Sequence, residues 1–397
     1  MQTIKFKNHE IPLITEAQAC DLVRVKFVWD ACGSVSDDKG GEARFACEVL
    51  DEGVDEVFNS ELEDRAMALE FDAGFATVSA QLTCLKEFAN FGLEKLGELL
   101  VKPNLEPKCL ERVRLSRCSE IASNELDFNR VSAINLKKLL FNGALARDFN
   151  GKSADVKWFD ENVVKQLLAK LDLANLYIVV SGDFDESVLS GLTKVLEVLP
   201  QGVKRELPNF PTSSEAKTSV LQAQTTQAFI TFGAPLSVAF NQRHLALIAF
   251  FVLGAGGFGS RLMEEIRVKR GLAYSVYCTA KLTKTNQHFY GALQTKNQSA
   301  NEACELVKTL VGEFVANGIT QDELTKAKQF LLGSQPLRCE SCFARAGQKE
   351  NGFYLSGDEG MEAEILRSLE SATLNEVNEF VASLSEIKRL SFSLVRD

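Results

Sequence analysis

Residues Gly254 to Tyr277 read GAGGFGSRLMEEIRVKRGLAYSVY, and the punctuation of this stretch decides the fold. Ser260 stands where a helix N-cap belongs, Leu262, Met263 and Ile266 give a short apolar face at helical spacing, and Gly271 is placed as the C′ stop. Leu272, Tyr274 and Val276 then alternate with Ala273, Ser275 and Tyr277, so a helical period gives way to a strand period just after a glycine. A helix, a turn and a strand in this order bring Arg267, in the last helical turn, near Tyr274 on the outgoing strand. A guanidinium and a phenol converging from two rigid elements offer hydrogen bonds to a carbonyl, or to the oxyanion that develops from it. Taken singly, Arg267 also fits a cap on its own helix, and Tyr274 a ring packed at a sheet edge. The glycines of Leu253 to Ser260 lack the preceding strand and the lysine or second acidic signal of a phosphate loop, which argues against a nucleotide site.

Working outward, the 397 residues suggest two domains of about 200 each. The charge balance of 44 basic against 54 acidic residues argues against a nucleic-acid surface. The longest apolar run, Leu245 to Leu253, is too short to span a bilayer, and MQTIKFKNHEIPLI lacks the apolar core of a secretory signal. Ten cysteines without such a signal lead us to expect free, mostly buried thiols in the cytoplasm, with a periplasmic location left open. Cys339 and Cys342 form one C-x-x-C with no second pair at zinc-ribbon spacing, and read as two thiols on one helix turn. His9, His244 and His288 are isolated and show no metal spacing.

In chain order, residues 4 to 7 and 11 to 14 suggest a hairpin around Asn8, His9 and Glu10. Leu22 to Trp29, LVRVKFVW, is a strong strand, followed by a loop from Ala31 to Gly41. Ala43, Phe45, Ala46, Val49 and Leu50 then set out a helix stopped by Gly53. A strand at Phe75 to Leu82, a helix at Glu87 to Leu100, a long helical region from Pro107 to Leu140 and a buried strand at Leu176 to Ser181 follow. Pro200, Pro208 and Pro211 mark a linker over 200–219, which divides the chain into 1–199 and 220–397. Beyond it the order recurs: a strand at Ala228 to Gly233 and an apolar helix at His244 to Leu253, much as Leu22 to Trp29 precedes the helix carrying Arg44. Asn301 to Asn317 and Gln321 to Leu332 read as amphipathic helices. The fold class is α+β, with two tandem, similar halves in which a mixed or antiparallel sheet packs with helices.

GGFGSRLMEEIRVKRGLAYSVY resembles the carboxyl-half signature of the pitrilysin/insulinase family, the inverted-motif zinc peptidases that include the mitochondrial processing peptidase. The resemblance implies the α/β-sandwich fold shared by that peptidase and the LuxS metalloenzyme. It also implies that Arg267 and Tyr274, seven residues apart, reach a scissile carbonyl across a closed chamber. Family members carry His-x-x-Glu-His on the first-half helix, where two imidazoles at i and i+4 share a zinc and the Glu activates its water. This chain reads Gly41-Glu42-Ala43-Arg44-Phe45-Ala46-Cys47-Glu48. Arg44 stands in the place of the first His, Cys47 in that of the base, and Glu48 in that of the second His. Arginine has no lone pair for a metal, so Arg44 is no ligand. The family's third ligand is a Glu on a later helix, matched by the surroundings of Glu120, 72 residues after Glu48, and in spacing also by Glu125. Arg44 is instead expected to pair with Glu48, and with Glu120, so that a cation takes the metal's place.

In the family's two-chain branch one subunit supplies the zinc helix and the other the Arg/Tyr pair. The resemblance therefore implies a non-catalytic subunit, with no metal or cofactor of its own, that joins a homologous His-x-x-Glu-His subunit holding the zinc and acts with it on peptides or unfolded protein. A scaffold member, as in the core subunits of the respiratory bc1 complex, and an active homodimer with an unusual metal site are the alternatives.

Overall fold

The computed structural model describes residues 2–397. They form two compact units, one of residues up to Ser123 with Asp148–Leu207 and Arg338–Met361, the other of Asn124–Arg147, Pro208–Leu337 and Glu362–Asp397. Each unit thus adds to its own half of the sequence one stretch from the other half.

The first unit is built on a sheet of β1 (Gln2–Phe6), β2 (His9–Ala17), β3 (Leu22–Asp30), β4 (Ala68–Ala73), β5 (Thr77–Leu85) and β6 (Leu176–Gly182). They lie in the order β1-β2-β6-β3-β5-β4, with β2 and β6 parallel and every other pairing antiparallel. The alternation read in LVRVKFVW holds: Val23, Val25, Phe27 and Trp29 are fully buried against the main core. Each such side chain is worth roughly 1.5–3 kcal/mol of transfer free energy. The reverse face is covered too, because Val28, Ile14, Tyr177 and Val179 pack against Ala346 and Phe353 of the late helix Cys342–Ser356. That explains why β6 is buried along its whole length, and why Lys26 meets Glu350 at 2.8 Å. The first hairpin turns at Lys7 and Asn8 rather than around His9, with Lys7 taking a φ of 52°.

The second unit holds β7 (Thr218–Gln222), β8 (Gln227–Pro235), β9 (Ala273–Leu282), β10 (Gln287–Lys296) and β11 (Ser391–Arg396), in the order β7-β11-β8-β10-β9. β7 and β11 are parallel, the rest antiparallel. Strand for strand this repeats β2-β6-β3-β5-β4, parallel pair included, so the recurrence read along the chain is a repeated topology. The helical region expected over Pro107 to Leu140 is two helices, Pro107–Asn124 and Phe128–Leu140, because the Asp127 side chain accepts the N–H groups of Asn129 and Arg130 and starts the second one afresh. The two helices belong to different units; Phe128–Leu140 packs on β8 and β11, where the Ser132 hydroxyl donates to the Ser393 carbonyl at 2.8 Å.

Between Pro200 and Lys217 there is no helix or strand. The part up to Leu207 is held in the first unit by Arg205 on the buried Asp172 (2.5 Å), and the part from Pro208 in the second by the Phe210 N–H on the Thr285 carbonyl (2.8 Å). Among the described residues no helix is long and apolar enough to cross a membrane.

Candidate functional site

The first-half motif lies on the helix Glu42–Asp51. Gly41 precedes it with a φ of 92°, and a Cβ there would lie 2.8 Å from the Asn150 carbonyl oxygen, so glycine alone fits. The capping groups come from outside the helix: Asp37, 7% exposed, accepts the N–H groups of Gly41 (3.1 Å) and Ala43 (3.0 Å). Burial pushes the Asp37 carboxyl up to about 6 in spite of these donors. Ala43, Phe45, Ala46, Cys47, Val49 and Leu50 turn into the core, which leaves Arg44 and Glu48, one turn apart, on the half-exposed face.

Arg44 lies 3.5 Å from Glu48 through Nε, 3.5 Å from Glu120 through Nη2, and donates to the Asn150 side chain at 3.2 Å. A second guanidinium, from Arg117 on Pro107–Asn124, enters the same cluster and is 1% exposed. Its Nη1 reaches Glu48 at 3.0 Å and Glu120 at 2.6 Å, and its Nη2 donates to the Asn150 carbonyl at 2.7 Å. Two cations and two carboxylates thus interlock around Asn150, itself 3% exposed. Burial raises the Glu48 carboxyl above its ordinary range, outweighing the pull of Arg117 and Arg44. Cys47 is 2% exposed, and burial holds its thiol well above the usual range, so it is neither base nor nucleophile. Glu125 is exposed beyond the end of its helix and takes no part in the cluster.

These residues do not fit zinc. Guanidinium groups have no lone pair to give, and they already engage both Glu48 and Glu120. Among the described residues no three His, Cys, Asp or Glu side chains group so as to hold a metal ion. Sequence reading reached Arg44, Glu48 and Glu120 and missed Arg117 and Asn150; the i,i+3 spacing of Arg117 and Glu120 was the available signal.

In the second unit the helix opened by Ser260 buries Leu262, Met263 and Ile266, but from Met263 to Lys269 it is wound as a π-helix, as is Phe251–Ala255 before the glycines. The Ser260 carbonyl accepts the Glu264 N–H at 2.9 Å, whereas its hydroxyl donates to the Gly257 carbonyl (2.7 Å) and does not cap the helix amides. Gly271, at a φ of 61°, ends the helix, with its N–H on the Arg267 carbonyl and the Leu272 N–H on that of Ile266. Arg261 fixes the other end through a two-pronged bond to Glu323 at 2.7 and 2.8 Å.

The alternation expected in LAYSVY is broken, since Ala273 and Val276 are both buried while Tyr274 is 80% exposed. The cause is a bulge on the edge strand β9: Val276 pairs with Leu293 but Ala273 with Thr295, so Tyr274 and Ser275 together face a single residue of β10. Strict alternation back from Val276 would have turned Tyr274 into the core; the extra residue turns it out. The Arg267 guanidinium lies over the Tyr274 ring, 4.5 Å from its centroid, and over the Phe258 ring at 4.6 Å. Among the described residues no carboxylate pairs with Arg267. Phe258, 70% exposed, was not anticipated.

A duplicated sheet-and-helix unit, a first-half motif helix shorn of its ligands and an Arg/Tyr pair at a helix–strand junction define a member of the inverted-motif peptidases, and the chain belongs to the peptidase M16 family. A family model described as the peptidase M16 inactive domain matches residues 171–331. The chain is 38% identical over 373 residues to the "Non-peptidase homolog YmxG" of Helicobacter pylori, covering 91% of this chain and 86% of that protein. It is 23% identical over 316 residues to the "Uncharacterized zinc protease YmxG" of Bacillus subtilis, with 76% of each covered. The crystal structure of a peptidase M16 inactive domain from Pseudomonas fluorescens superposes with a TM-score of 0.88 at 21% identity, over 100% of this chain and 98% of that one.

Proposed function

We propose that this chain is a non-catalytic subunit of a two-chain zinc peptidase, in which it presents Arg267 and Tyr274 to a peptide carbonyl in the zinc site of a homologous partner with an intact His-x-x-Glu-His. The observation that carries the reading is an asymmetry of charge. At the degenerate motif two guanidinium groups and two carboxylates neutralise one another, while Arg267 stays free of any carboxylate and stacks between two exposed rings. A guanidinium N–H and a phenol O–H held on rigid elements are donors suited to the charge that grows on a carbonyl oxygen under attack. The stack fixes the guanidinium plane ahead of binding, so little freedom is lost when the carbonyl arrives. On this reading Arg44 and Arg117 do the structural work of the metal, tying the motif helix to the helix of Glu120.

Co-expression with a family member that has the intact motif tests it. The expected result is a stable complex that holds zinc in the partner alone and cleaves a peptide that neither chain cleaves by itself. One tightly held zinc per copy of this chain on its own, by plasma emission analysis, would dispose of the accessory role.

A further inference from the structure

Cys339 and Cys342 do not share a helix turn: Cys339 precedes the helix that Cys342 opens, and its thiol is turned to the Gln348 side chain at 3.0 Å. The thiol that acts on Cys342 is Cys20, far away in sequence, in the turn between β2 and β3; burial and this neighbour together raise the Cys342 thiol above its ordinary range. The surrounding contacts hold the same two segments together independently. Arg345 donates to Gln18 (2.6 Å) and Glu16 (2.6 Å) on one side of Cys20, and the Arg24 guanidinium lies 4.4 Å from the Phe343 ring on the other.

The two thiols are unlike. Cys342 is 3% exposed, at the first position of a fifteen-residue helix and close to the Arg345 charge, both of which favour a thiolate, although burial raises it overall. Cys20 is half-buried and lines an open cleft of about 610 Å³ with Asp21, Lys86, Asn90, Asp183 and Asp185. A small molecule can reach Cys20 through the cleft, whereas Cys342 is buried. The cleft carries four carboxylates, Asp21, Glu87, Asp183 and Asp185, against one lysine, so it favours a neutral reagent over an anionic one.

We propose that Cys20 and Cys342 form a reversible disulfide, made by exchange with a neutral low-molecular-weight disulfide that enters through this cleft. The Cys20 thiolate attacks one sulfur of the reagent, forming a mixed disulfide and releasing the first thiolate. The Cys342 thiolate then attacks the Cys20 sulfur, forming the protein disulfide and releasing the second. The protons of the two cysteines leave on the two thiols of the reduced reagent, and the two electrons lost by the cysteines reduce its sulfur–sulfur bond. The product staples the N-terminus of Cys342–Ser356 to the β2–β3 turn, a cross-link between residues 322 apart that restricts the unfolded chain strongly.

The test is to treat the full chain with hydroxyethyl disulfide, block remaining thiols with iodoacetamide and map the peptides by mass spectrometry. A Cys20–Cys342 link is expected, lost on addition of dithiothreitol, absent in Cys20→Ser and retained in Cys339→Ser. The melting temperature should rise on oxidation in the wild type and Cys339→Ser but not in Cys20→Ser. A link between Cys339 and Cys342, or a mixed disulfide that stays on Cys20 without releasing a second thiol, would overturn the proposal.

Discussion

Arg117 is the most deeply buried charge of the degenerate site, at 1% exposure, and bonds to both carboxylates and to the Asn150 carbonyl. Arg44, in the same cluster, has 35% of its side chain exposed. Losing one partner of a buried pair costs about 3–5 kcal/mol, because the other charge is left stranded. Losing an exposed partner costs about 1 kcal/mol or less. Arg117→Met should therefore lower the urea midpoint far more than Arg44→Met; equal effects would mean that the cluster is not organised around the buried guanidinium. Asp37 gives a second test. Its folded carboxyl is raised to about 6 from 3.8, so the native state binds the proton more tightly than the unfolded one. Its contribution is fully present below the unfolded value and is lost as pH rises through about 6, with a difference of up to about 3 kcal/mol. Stability of the wild type relative to Asp37→Asn should accordingly be better at pH 4 than at pH 7, as read from denaturation curves at the two values; a flat difference would refute the shift.

At the scale of elements, the motif helix was legible because two charges one turn apart among apolar neighbours have only one face to occupy. The strand after Gly271 was legible as a strand but not in phase. Alternation from Leu272 and alternation with a bulge predict different faces for Tyr274, and the difference is made by pairing with β10. Winding of Met263–Lys269 as a π-helix was equally out of reach, since apolar positions at 262, 263 and 266 suit either winding. The late helix Cys342–Ser356 could not be assigned to the first unit from spacing, because its partners on β2, β3 and β6 lie in the other half of the sequence. Gly254 tests the packing behind the Arg267 segment. A Cβ there would stand 2.6 Å from the Cys278 sulfur and 2.9 Å from its backbone nitrogen. Gly254→Ala should cost about 1–3 kcal/mol, measured by chemical denaturation. A neutral substitution would show that the π-helical segment can shift freely.

For the whole molecule we propose a division of labour: an ion-pair cluster occupies the first-half motif, and the second half presents Arg267 and Tyr274 as donors to a partner's site. The strand order is repeated in the two units, and the chain superposes over its full length on a solved peptidase M16 inactive domain. The most direct measurement is peptide turnover by the complex with a His-x-x-Glu-His partner, comparing the wild type with the double variant Arg267→Ala, Tyr274→Phe. Removal of oxyanion donors should lower kcat by about a hundredfold or more while the complex still forms and the partner keeps its zinc. Full activity in the double variant would contradict the account.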